Sequence, residues 1–294
     1  MKTKFFTLIS LIILFYQGIG QDHNTINYFN AVPPPNDSIV IFAKGIVSLD
    51  DRWEEKICFS PDGKEAFFGR HPDGNNNYFK PRTMYSKFEN SKWSTPDTAV
   101  FSRKVIAGYP IFNPDGNILY MEQPIKPTKK GVTGQIVFSK KKNNEWSILK
   151  VISPNVTAKE GFGLAQITKD STFYFHDRFD RVAYSAKVIN GKITAPKPLP
   201  YILNPIVEFF VSPDNDYIIF MPLNWSNQFH ISFKVKHKWS MPIPFSAYFK
   251  KEKGWDMRGY GPYVSPDGNY FFFGKKGDIY WVKADFIEAL RKKI

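Results

Sequence analysis

The stretch ICFSPDG, residues 57–63, decides the fold of this chain, and it runs on to the aromatic pair Phe67-Phe68. Proline fixes φ at the first turn position, aspartate hydrogen-bonds to the local backbone, and glycine accepts a positive φ. An apolar strand enters this turn and an aromatic strand leaves it. The stretch therefore predicts a β-hairpin.

The hairpin pattern returns four more times along the chain, at Pro110–Tyr120, Leu164–Phe175, Phe210–Phe220 and Tyr263–Phe273. The aspartates of the five copies, at positions 62, 115, 170, 214 and 267, are 53, 55, 44 and 53 residues apart. The third copy reads Thr168-Lys169-Asp170-Ser171, and the fourth has Asn215 in place of glycine. These departures weaken the turn prediction at two sites but leave the repeat count at five.

A further strand follows the hairpin in four copies and leads through a polar turn to a tryptophan or an aliphatic residue. The four examples are Met84–Ser94, Ile136–Ser147, Val182–Ile193 and His230–Ser240. About four strands in ~50 residues is the content of one propeller blade. The repeats predict an all-β chain with a single β-propeller of five blades of four strands each. Six blades is the alternative if residues 24–50 form more than one strand.

The repeats resemble the TolB-type, WD-repeat-like β-propeller family of exported bacterial proteins over roughly residues 52–283. The Ser-Pro-Asp-Gly hairpin followed by Tyr or Phe pairs is typical of that architecture. The resemblance implies a propeller, but it implies no single function, because the family includes binding scaffolds, accessory domains and enzymes.

The two ends of the chain indicate how the ring closes. The last copy ends at residues 278–282 without a full blade after it, and Ser38–Phe42 has no hairpin partner. An N-terminal strand that completes the last blade would remove an open sheet edge. Asp285 resembles the N-cap of a short helix over Phe286–Lys293. We expect a signal peptide at 1–20, an extended lead-in at 21–37 and the propeller at 38–294.

The first twenty residues have the composition of a secretory signal. Lys2 and Lys4 precede an apolar run, Phe5–Tyr16, and Gly18-Ile19-Gly20 places small residues before a cleavage point at Gln21. An uncleaved N-terminal anchor is the alternative. No cysteine directly follows the signal segment, which argues against a lipid anchor. We therefore expect a periplasmic or secreted protein, monomeric, with no transmembrane segment after cleavage.

The net charge indicates which classes of partner the protein can bind, and the single cysteine indicates a buried thiol. The formal net charge is +13, and Lys and Arg are spread through the predicted loops. This indicates either a solvated surface or attraction to a polyanion. For an exported protein the favoured polyanion is an acidic polysaccharide or a membrane surface, and nucleic acid is disfavoured. The one cysteine, Cys58, lies in an apolar strand pattern and predicts a buried, inert thiol.

The topology selects candidate ligand-binding residues without a motif. The five Ser-Pro-Asp-Gly-type turns share one face of the ring, here called the turn face, and the strand ends remote from them form the opposite face, here called the rim. Carboxylates, guanidinium groups and aromatic rings that meet at the rim suit a sugar or a peptide. The candidates are Arg52, Glu54, Arg70, His71, Glu160, His176, Arg178, Glu208, Trp225, Trp255, Asp256, Arg258 and Tyr260. The alternative is a polar, solvated edge without a ligand.

Catalytic motifs are weak. The chain has no Gly-x-Ser-x-Gly elbow, no His-Glu-x-x-His and no cysteine pair, so no metal site is predicted, and the identity of any cofactor is unknown from the sequence. Glu160 and Glu208 can flank a glycosidic bond if they lie ~5–10 Å apart, and Tyr260 with Arg258 suggests lyase-like chemistry.

The leading hypothesis is a non-catalytic, exported propeller that binds a glycan, peptide or protein at its rim. The alternative is a carbohydrate-active hydrolase or lyase, and a structural role in an envelope assembly ranks third.

Overall fold

A computed structural model describes residues 26–74, 81–129, 131–152, 161–223, 228–249 and 258–294. The predicted signal peptide lies outside these ranges. Within them no helix has the length and apolar character needed to cross a membrane.

The described residues form five antiparallel sheets around a central axis. One strand, β1 (Val40–Ile41), precedes the first sheet. Blade 1 comprises β2 (Trp53–Phe59), β3 (Glu65–His71), β4 (Arg82–Glu89), β5 (Lys92–Trp93) and β6 (Asp97–Thr98). Blade 2 comprises β7 (Gly108–Phe112), β8 (Ile118–Thr128), β9 (Gly131–Lys142), β10 (Glu145–Trp146) and β11 (Lys150–Val151). Blade 3 comprises β12 (Phe162–Ile167), β13 (Thr172–Asp177), β14 (Val182–Ile189), β15 (Lys192–Ile193) and β16 (Lys197–Pro198).

Blade 4 comprises β17 (Ile206–Val211), β18 (Tyr217–Pro222), β19 (His230–Val235), β20 (Lys238–Trp239) and β21 (Ile243–Pro244). Blade 5 comprises β22 (Tyr260–Val264), β23 (Tyr270–Lys275) and β24 (Asp278–Lys283), and it is completed by β1. In blades 1 to 4 the first four strands follow one another from the channel outward. The fifth, short strand also pairs with the third strand, next to the fourth. The prediction of one ring of five four-stranded blades is confirmed.

The N-terminal strand closes the ring as predicted. Strand β1 pairs antiparallel with β24, with Val40 opposite Trp281 and Ile41 opposite Tyr280. The next amide, Phe42 N–H, donates to Ile279 O at 2.8 Å. Residues 26–52 contribute no other strand, so the six-bladed alternative is wrong.

The five turns of the repeat share one geometry, including the two that lack glycine. In each turn the fourth residue donates its N–H to the carbonyl of the first, as Gly63 does to Ser60 at 2.8 Å and Ser171 does to Thr168 at 2.9 Å. The fourth residue has a positive φ throughout, 69° at Gly63, 60° at Ser171 and 59° at Asn215. The backbone conformation therefore survives where the sequence signal weakens.

Replacing Ser171 by glycine is expected to raise the free energy of unfolding by about 0.5–1 kcal/mol. The left-handed conformation is unfavourable for a residue with a Cβ, and glycine adopts it without that cost. Urea unfolding followed by circular dichroism measures the difference. The control is Asn215→Gly, because Asn215 Oδ1 accepts from Tyr174 Oη at 2.7 Å and Lys234 Nζ at 2.6 Å. That variant is expected to lose stability, and equal gains from both changes would contradict the argument.

A short helix follows blade 5 on the turn face, at α1 (Phe286–Arg291). Phe286, Ile287 and Leu290 are buried against the ring. The helix ends at Arg291, so the predicted extension to Lys293 is wrong, whereas Asp285 lies at the N-cap position as predicted. Asp285 already has helical angles, φ −53° and ψ −26°, and its side chain makes no capping hydrogen bond.

Candidate functional site

The first strands of the five blades, β2, β7, β12, β17 and β22, surround the central channel. Each of these strands is interrupted by a β-bulge where its register with the second strand shifts, as between Glu54 and Ile57 in β2. Bulge residues Tyr109, Leu164 and Gly261 have positive φ values of 52°, 51° and 57°. A bulge leaves backbone groups without a partner in the ladder, so other groups must satisfy them.

Carboxylates from neighbouring blades satisfy three of these backbone amides. Tyr109 N–H donates to Glu55 Oε1 at 3.2 Å, and Gly261 N–H donates to Glu208 Oε2 at 3.3 Å. The Glu122 carboxylate likewise accepts from the backbone of Leu164. In each case the acceptor belongs to the preceding blade. These carboxylates therefore join successive blades around the channel.

Three acidic side chains near the channel also have cationic or imidazole partners. Arg70 Nε lies 2.8 Å from Glu54 Oε1, and His71 Nε2 lies 3.1 Å from Glu55 Oε2. Arg178 forms an ion pair with Glu122, and its guanidinium group lies 5.7 Å from the centre of the Tyr109 ring. Gly163 leaves room for that pair, because a Cβ there would come within 2.5 Å of Glu122 Oε2.

Several of the rim candidates are buried, and whether they bind a ligand stays a prediction. Glu54 and His176 are 0% exposed, His71 is 1% and Glu208 is 7%. For Glu208 the bulge in blade 5 explains the burial, because the Gly261 amide requires an acceptor inside the channel. The strand ends remote from the turns therefore hold a buried polar network.

The remaining rim candidates have other surroundings. Arg52 binds its neighbour Asp51 at 2.6 Å, and Arg258 is exposed. Glu160, Trp225, Trp255 and Asp256 lie outside the described residues. Seven candidates thus lie near the channel: Glu54, Arg70, His71, His176, Arg178, Glu208 and Tyr260. The proposed pair of Glu160 with Glu208 stays a prediction.

His176 and Tyr260 are already engaged by backbone groups. His176 Nε2 lies 2.8 Å from Ile206 O, and burial together with the charge of Arg178 lowers the pKa of His176 to about 3. Tyr260 Oη donates to Glu54 O at 3.0 Å and accepts from Gly277 N–H at 3.1 Å. Burial raises the pKa of Tyr260 well above its ordinary value. This arrangement opposes a role for either ring as an acid, base or nucleophile.

Burial shifts the pKa of two carboxyl groups and one amine in the channel. Desolvation raises the pKa of Glu54 to about 7, against the opposing effect of Arg70, and raises that of Glu208 to about 7, against Arg178 and Lys56. Desolvation also lowers the pKa of Lys56 to about 8. Sequence reasoning missed Lys56, although its position directly after Glu54-Glu55 in an inner strand was a usable signal.

Ionisation of Glu208 is expected to lower the stability of the wild type by about 3 kcal/mol between pH 4.5 and pH 8. Replacing Glu208 by glutamine is expected to remove that loss. The folded wild type holds the Glu208 proton up to a pKa of about 7, above the ordinary value of 4.5. Its ionisation therefore costs stability as pH rises from 4.5 through 7, and glutamine removes that cost. Glutamine can still accept from Gly261 N–H.

Urea unfolding of both proteins across this pH range tests the expectation. The control is Glu145→Gln, which alters an exposed glutamate on a short outer strand. That change should leave the pH dependence as in wild type. Parallel curves for wild type and Glu208→Gln would contradict the assignment.

A cavity of about 420 Å³ opens on the turn face, at the other end of the ring from the predicted rim. Its floor is apolar and aromatic, with Phe59, Ile111, Phe112, Phe210 and Tyr263. Turn prolines from four blades stand around it, and these are Pro61, Pro114, Pro213 and Pro266. These prolines are visible in the repeat, where they predict the turns but not a cavity between them.

Charged side chains edge this cavity. Lys169 Nζ lies 2.8 Å from Asp214 Oδ1, and both side chains are largely exposed. Arg291 from α1 pairs with Asp216 at 2.8 Å and lies over the Phe233 ring at 4.6 Å. Exposed ion pairs of this kind are weak in water, so they can open and re-form with a ligand.

Two residues at the cavity floor also hold adjacent blades together. Gln166 Nε2 donates to Val211 O, and Val211 N–H donates to Gln166 Oε1 at 3.0 Å. In the same position of blade 5, Tyr263 Oη accepts from Phe59 N–H at 3.1 Å and donates to Phe59 O at 3.2 Å. Each side chain therefore binds the N–H and the C=O of one residue in the next blade, the residue directly before the turn.

Replacing Gln166 by leucine is expected to lower the free energy of unfolding by about 2–3 kcal/mol. The change leaves the buried N–H and C=O of Val211 without partners, and an unsatisfied buried group costs about 1–3 kcal/mol. The control is Gln135→Leu, because Gln135 is only partly buried and its amide bonds the side chain of Gln123. Chemical denaturation should show a much smaller loss there, and equal losses would refute the role of Gln166.

In the described part of the chain, no three His, Cys, Asp or Glu side chains converge closely enough to hold a metal ion. The single thiol, Cys58, is fully buried, and burial raises its pKa.

No protein-family model matches this chain, and no curated protein matches its sequence. Among solved structures it is similar to a luciferin-regenerating enzyme, with 7% identity and a TM-score of 0.48 over 84% of this chain and 95% of the other. It is similar to a TolB-like protein from Agrobacterium tumefaciens, with 15% identity and a TM-score of 0.45 over 77% and 69%. A 6-phosphogluconolactonase-like protein from Bacteroides fragilis shows 13% identity and a TM-score of 0.42 over 67% and 58%.

This chain spans 58% of the Bacteroides fragilis protein and 50% of dihydro-heme d1 dehydrogenase NirN, another similar structure. Identities and TM-scores of this size carry no argument about activity. The assignment of the fold rests on the five blades themselves.

Proposed function

We propose that this chain is an exported, TolB-type propeller that binds a peptide segment of a protein partner, without catalysis, in the cavity on the turn face. The observation that carries the proposal is the cavity itself. Its volume, about 420 Å³, falls in the range of about 300–1,000 Å³ that is usual for ligand sites. Its walls combine aromatic rings with a few charged groups at the edge.

The lining favours a peptide over a sugar. The floor of Phe59, Phe112 and Phe210 with Ile111 suits an apolar or aromatic side chain, which can bury most of its surface there. At the edge, the exposed Lys169–Asp214 pair offers one group of each sign. A peptide whose apolar residue is flanked by charged residues satisfies both parts of the cavity.

Selection from a random peptide library on the mature protein, followed by calorimetric titration of the selected peptides, tests this proposal. Lys169→Trp places a bulky side chain at the mouth and is expected to weaken binding at least tenfold. The matched control is Lys192→Trp, because Lys192 is exposed on the short outer strand β15 away from the mouth. That variant should bind as wild type does.

A third variant, Arg258→Ala, tests the rim as the binding surface, since Arg258 is exposed there. If Arg258→Ala weakens binding and Lys169→Trp does not, the ligand occupies the rim and the cavity proposal fails. A glycan array probed in parallel distinguishes the ligand classes. Selective glycan binding without peptide binding would overturn the peptide proposal.

The second candidate, a carbohydrate-active hydrolase or lyase, is favoured by Glu208. Burial raises the pKa of this carboxyl group to about 7, a value suited to a general acid. Release of reducing ends from a panel of polysaccharides tests the activity, with Glu208→Gln as the inactive variant. Activity that Glu208→Gln retains would exclude this residue from the reaction.

A further inference from the structure

The second residue of the hairpin turn lines the turn-face cavity in every blade. In blades 1, 2, 4 and 5 this residue is proline, and in blade 3 it is lysine. The five residues are Pro61, Pro114, Lys169, Pro213 and Pro266. At this position of the turns the mouth of the cavity thus carries four apolar rings and one ammonium group.

The backbone explains why blade 3 lacks the proline, but it does not explain the lysine. Lys169 N–H donates to Pro213 O of blade 4 at 2.8 Å. Proline has no N–H and cannot make this hydrogen bond, whereas every other residue type can. The long, charged side chain of Lys169 therefore requires a separate reason.

The ion pair of Lys169 with Asp214 contributes little to the fold. Lys169 Nζ lies 2.8 Å from Asp214 Oδ1, and the two side chains are 60% and 67% exposed. Exposed pairs of this kind are weak in water. The turns of blades 3 and 4 are also joined by Asn215, which bonds Asp170 at 3.1 Å and Tyr174 at 2.7 Å. The ammonium group can therefore leave Asp214 without separating the two turns.

The second cation at the edge of the cavity, Arg291, is held more firmly. Its guanidinium group bonds Asp216 at 2.8 Å and Glu288 at 2.9 Å. It also lies 4.6 Å from the centre of the Phe233 ring. Among the described residues, Lys169 Nζ has a single ion-pair partner, which is exposed. Lys169 is therefore the cation at this edge that a ligand can engage at the lower cost.

The repeat favours a ligand group of negative charge. Aspartate occupies the third position of all five turns, at 62, 115, 170, 214 and 267, where it suits the turn itself. Asp214 thus belongs to the shared pattern. Lysine departs from the pattern in one blade only, at a position that lines the cavity in all five. The group that distinguishes this mouth is a cation, and the group that complements a cation is a carboxylate.

We propose that Lys169 Nζ binds the side-chain carboxylate of an aspartate or glutamate in the peptide that occupies the cavity. This inference rests on the proposed function and adds the charge of the ligand to it. In an extended peptide, side chains two positions apart lie on the same face. An acidic residue two positions from the apolar one can therefore reach Lys169 while the apolar side chain contacts the floor at Phe59, Phe112 and Phe210.

The turns themselves favour an acidic side chain over the carboxyl terminus of a peptide. A terminal carboxylate is commonly bound by free backbone amides. Here the fourth amide of each turn already donates to the carbonyl of the first residue, as Asn215 N–H does to Ser212 O at 2.9 Å and Gly268 N–H does to Ser265 O at 2.9 Å. The side chain of Lys169 is then the donor that the mouth offers.

Peptides selected from the random library on the wild-type protein test the proposal. We expect them to carry Asp or Glu two positions from an aromatic or large aliphatic residue. Each selected peptide is synthesised with acetylated and amidated ends, once with the acidic residue and once with the corresponding amide, Asn or Gln. Calorimetric titration should show that the acidic form binds about three- to fivefold more tightly, as an exposed charge pair allows. The difference should shrink as the salt concentration rises.

Lys169→Met separates the ammonium group from the backbone of the turn. Methionine keeps the N–H that donates to Pro213 O, so the turn is retained while the charge is lost. The acidic and amide peptides should bind this variant with equal affinity. The matched control is Lys64→Met, because Lys64 is an exposed lysine next to the first turn and does not line the cavity. That variant should keep the preference for the acidic form.

The outcomes distinguish this inference from the proposed function. If Lys169→Trp blocks peptide binding but the wild type binds the acidic and amide forms equally, the cavity site stands and the carboxylate inference is wrong. Preferential binding of basic peptides would assign recognition to Asp214 and would also overturn the inference. A preference for a free C-terminal carboxylate that Lys169→Met abolishes would contradict the assignment to a side chain. If no peptide binds, the proposed function and this inference both fail.

Discussion

Replacement of Phe42 by alanine is expected to lower the free energy of unfolding by about 3–5 kcal/mol, the usual cost of removing a buried phenylalanine. Phe42 is fully buried directly after the closing strand β1. Its ring centre lies 5.0 Å from those of Phe272 and Trp281 in blade 5 and 6.2 Å from that of Phe59 in blade 1. The residue therefore joins the first and last blades at the point where the ring closes.

Guanidinium chloride unfolding followed by tryptophan fluorescence and by circular dichroism measures the effect. Val32→Ala is the control, because Val32 lies in the same N-terminal segment and is 84% exposed. Its stability should change by less than ~0.5 kcal/mol. If Phe42→Ala were as mild as Val32→Ala, the closing segment would contribute little to the stability of the ring.

Replacement of Arg178 by methionine is expected to cost about 3–5 kcal/mol at pH 8, because it leaves the buried carboxylate of Glu122 without its partner. Burial already raises the pKa of Glu122, and Arg178 opposes that shift. Without the guanidinium group the pKa of Glu122 rises further. The loss should therefore be larger at pH 8 than at pH 5, where the protonated carboxyl group no longer requires a cation.

The double variant Glu122→Gln/Arg178→Met separates the charge from the packing of the arginine. Glutamine removes the unpaired charge and can still accept from the backbone of Leu164, so part of the stability should return. Thermal and denaturant unfolding of the two single variants and the double variant at both pH values gives the coupling energy. Equal losses at pH 5 and pH 8 would show that Arg178 acts through its packing alone.

Local sequence determined the elements of this fold and their order. Each Ser-Pro-Asp-Gly-type turn needs only its own residues, because proline restricts φ and the fourth position accepts a positive φ. The hairpins and their number could therefore be predicted from the repeat. The closing strand could also be predicted, since Ser38–Phe42 lacked a local partner and a ring leaves no edge open.

Where the sequence signal weakened, tertiary contacts supplied the missing reason. Asn215 takes the position of glycine in the fourth turn while its side chain bonds Tyr174 of blade 3 and Lys234 of blade 4. Those contacts favour asparagine at a position where the repeat has glycine. At the C-terminal helix the N-cap position, Asp285, could be predicted, but its helical angles and the lack of a capping hydrogen bond from its side chain could not.

The candidate site could be predicted only in part. Topology alone placed Glu54, Arg70 and His71 together, since they lie at the same end of one hairpin. It could not reveal that bulge amides in the next blades require the carboxylates of Glu55, Glu122 and Glu208. Such hydrogen bonds join residues 40 or more positions apart, and no local pattern encodes them.

The amino-acid sequence by itself determined the five hairpins, the strand that closes the ring and the apolar character of the core, because turn chemistry and alternation act over a few residues. Only the tertiary structure decided which side chains face the axis, that Glu54 and Glu208 are buried, and that a cavity opens between the turn prolines. The physical reason is closure. Bringing five inner strands around one axis places groups from different blades, such as Glu55 with the Tyr109 amide and Glu208 with the Gly261 amide, within hydrogen-bonding distance.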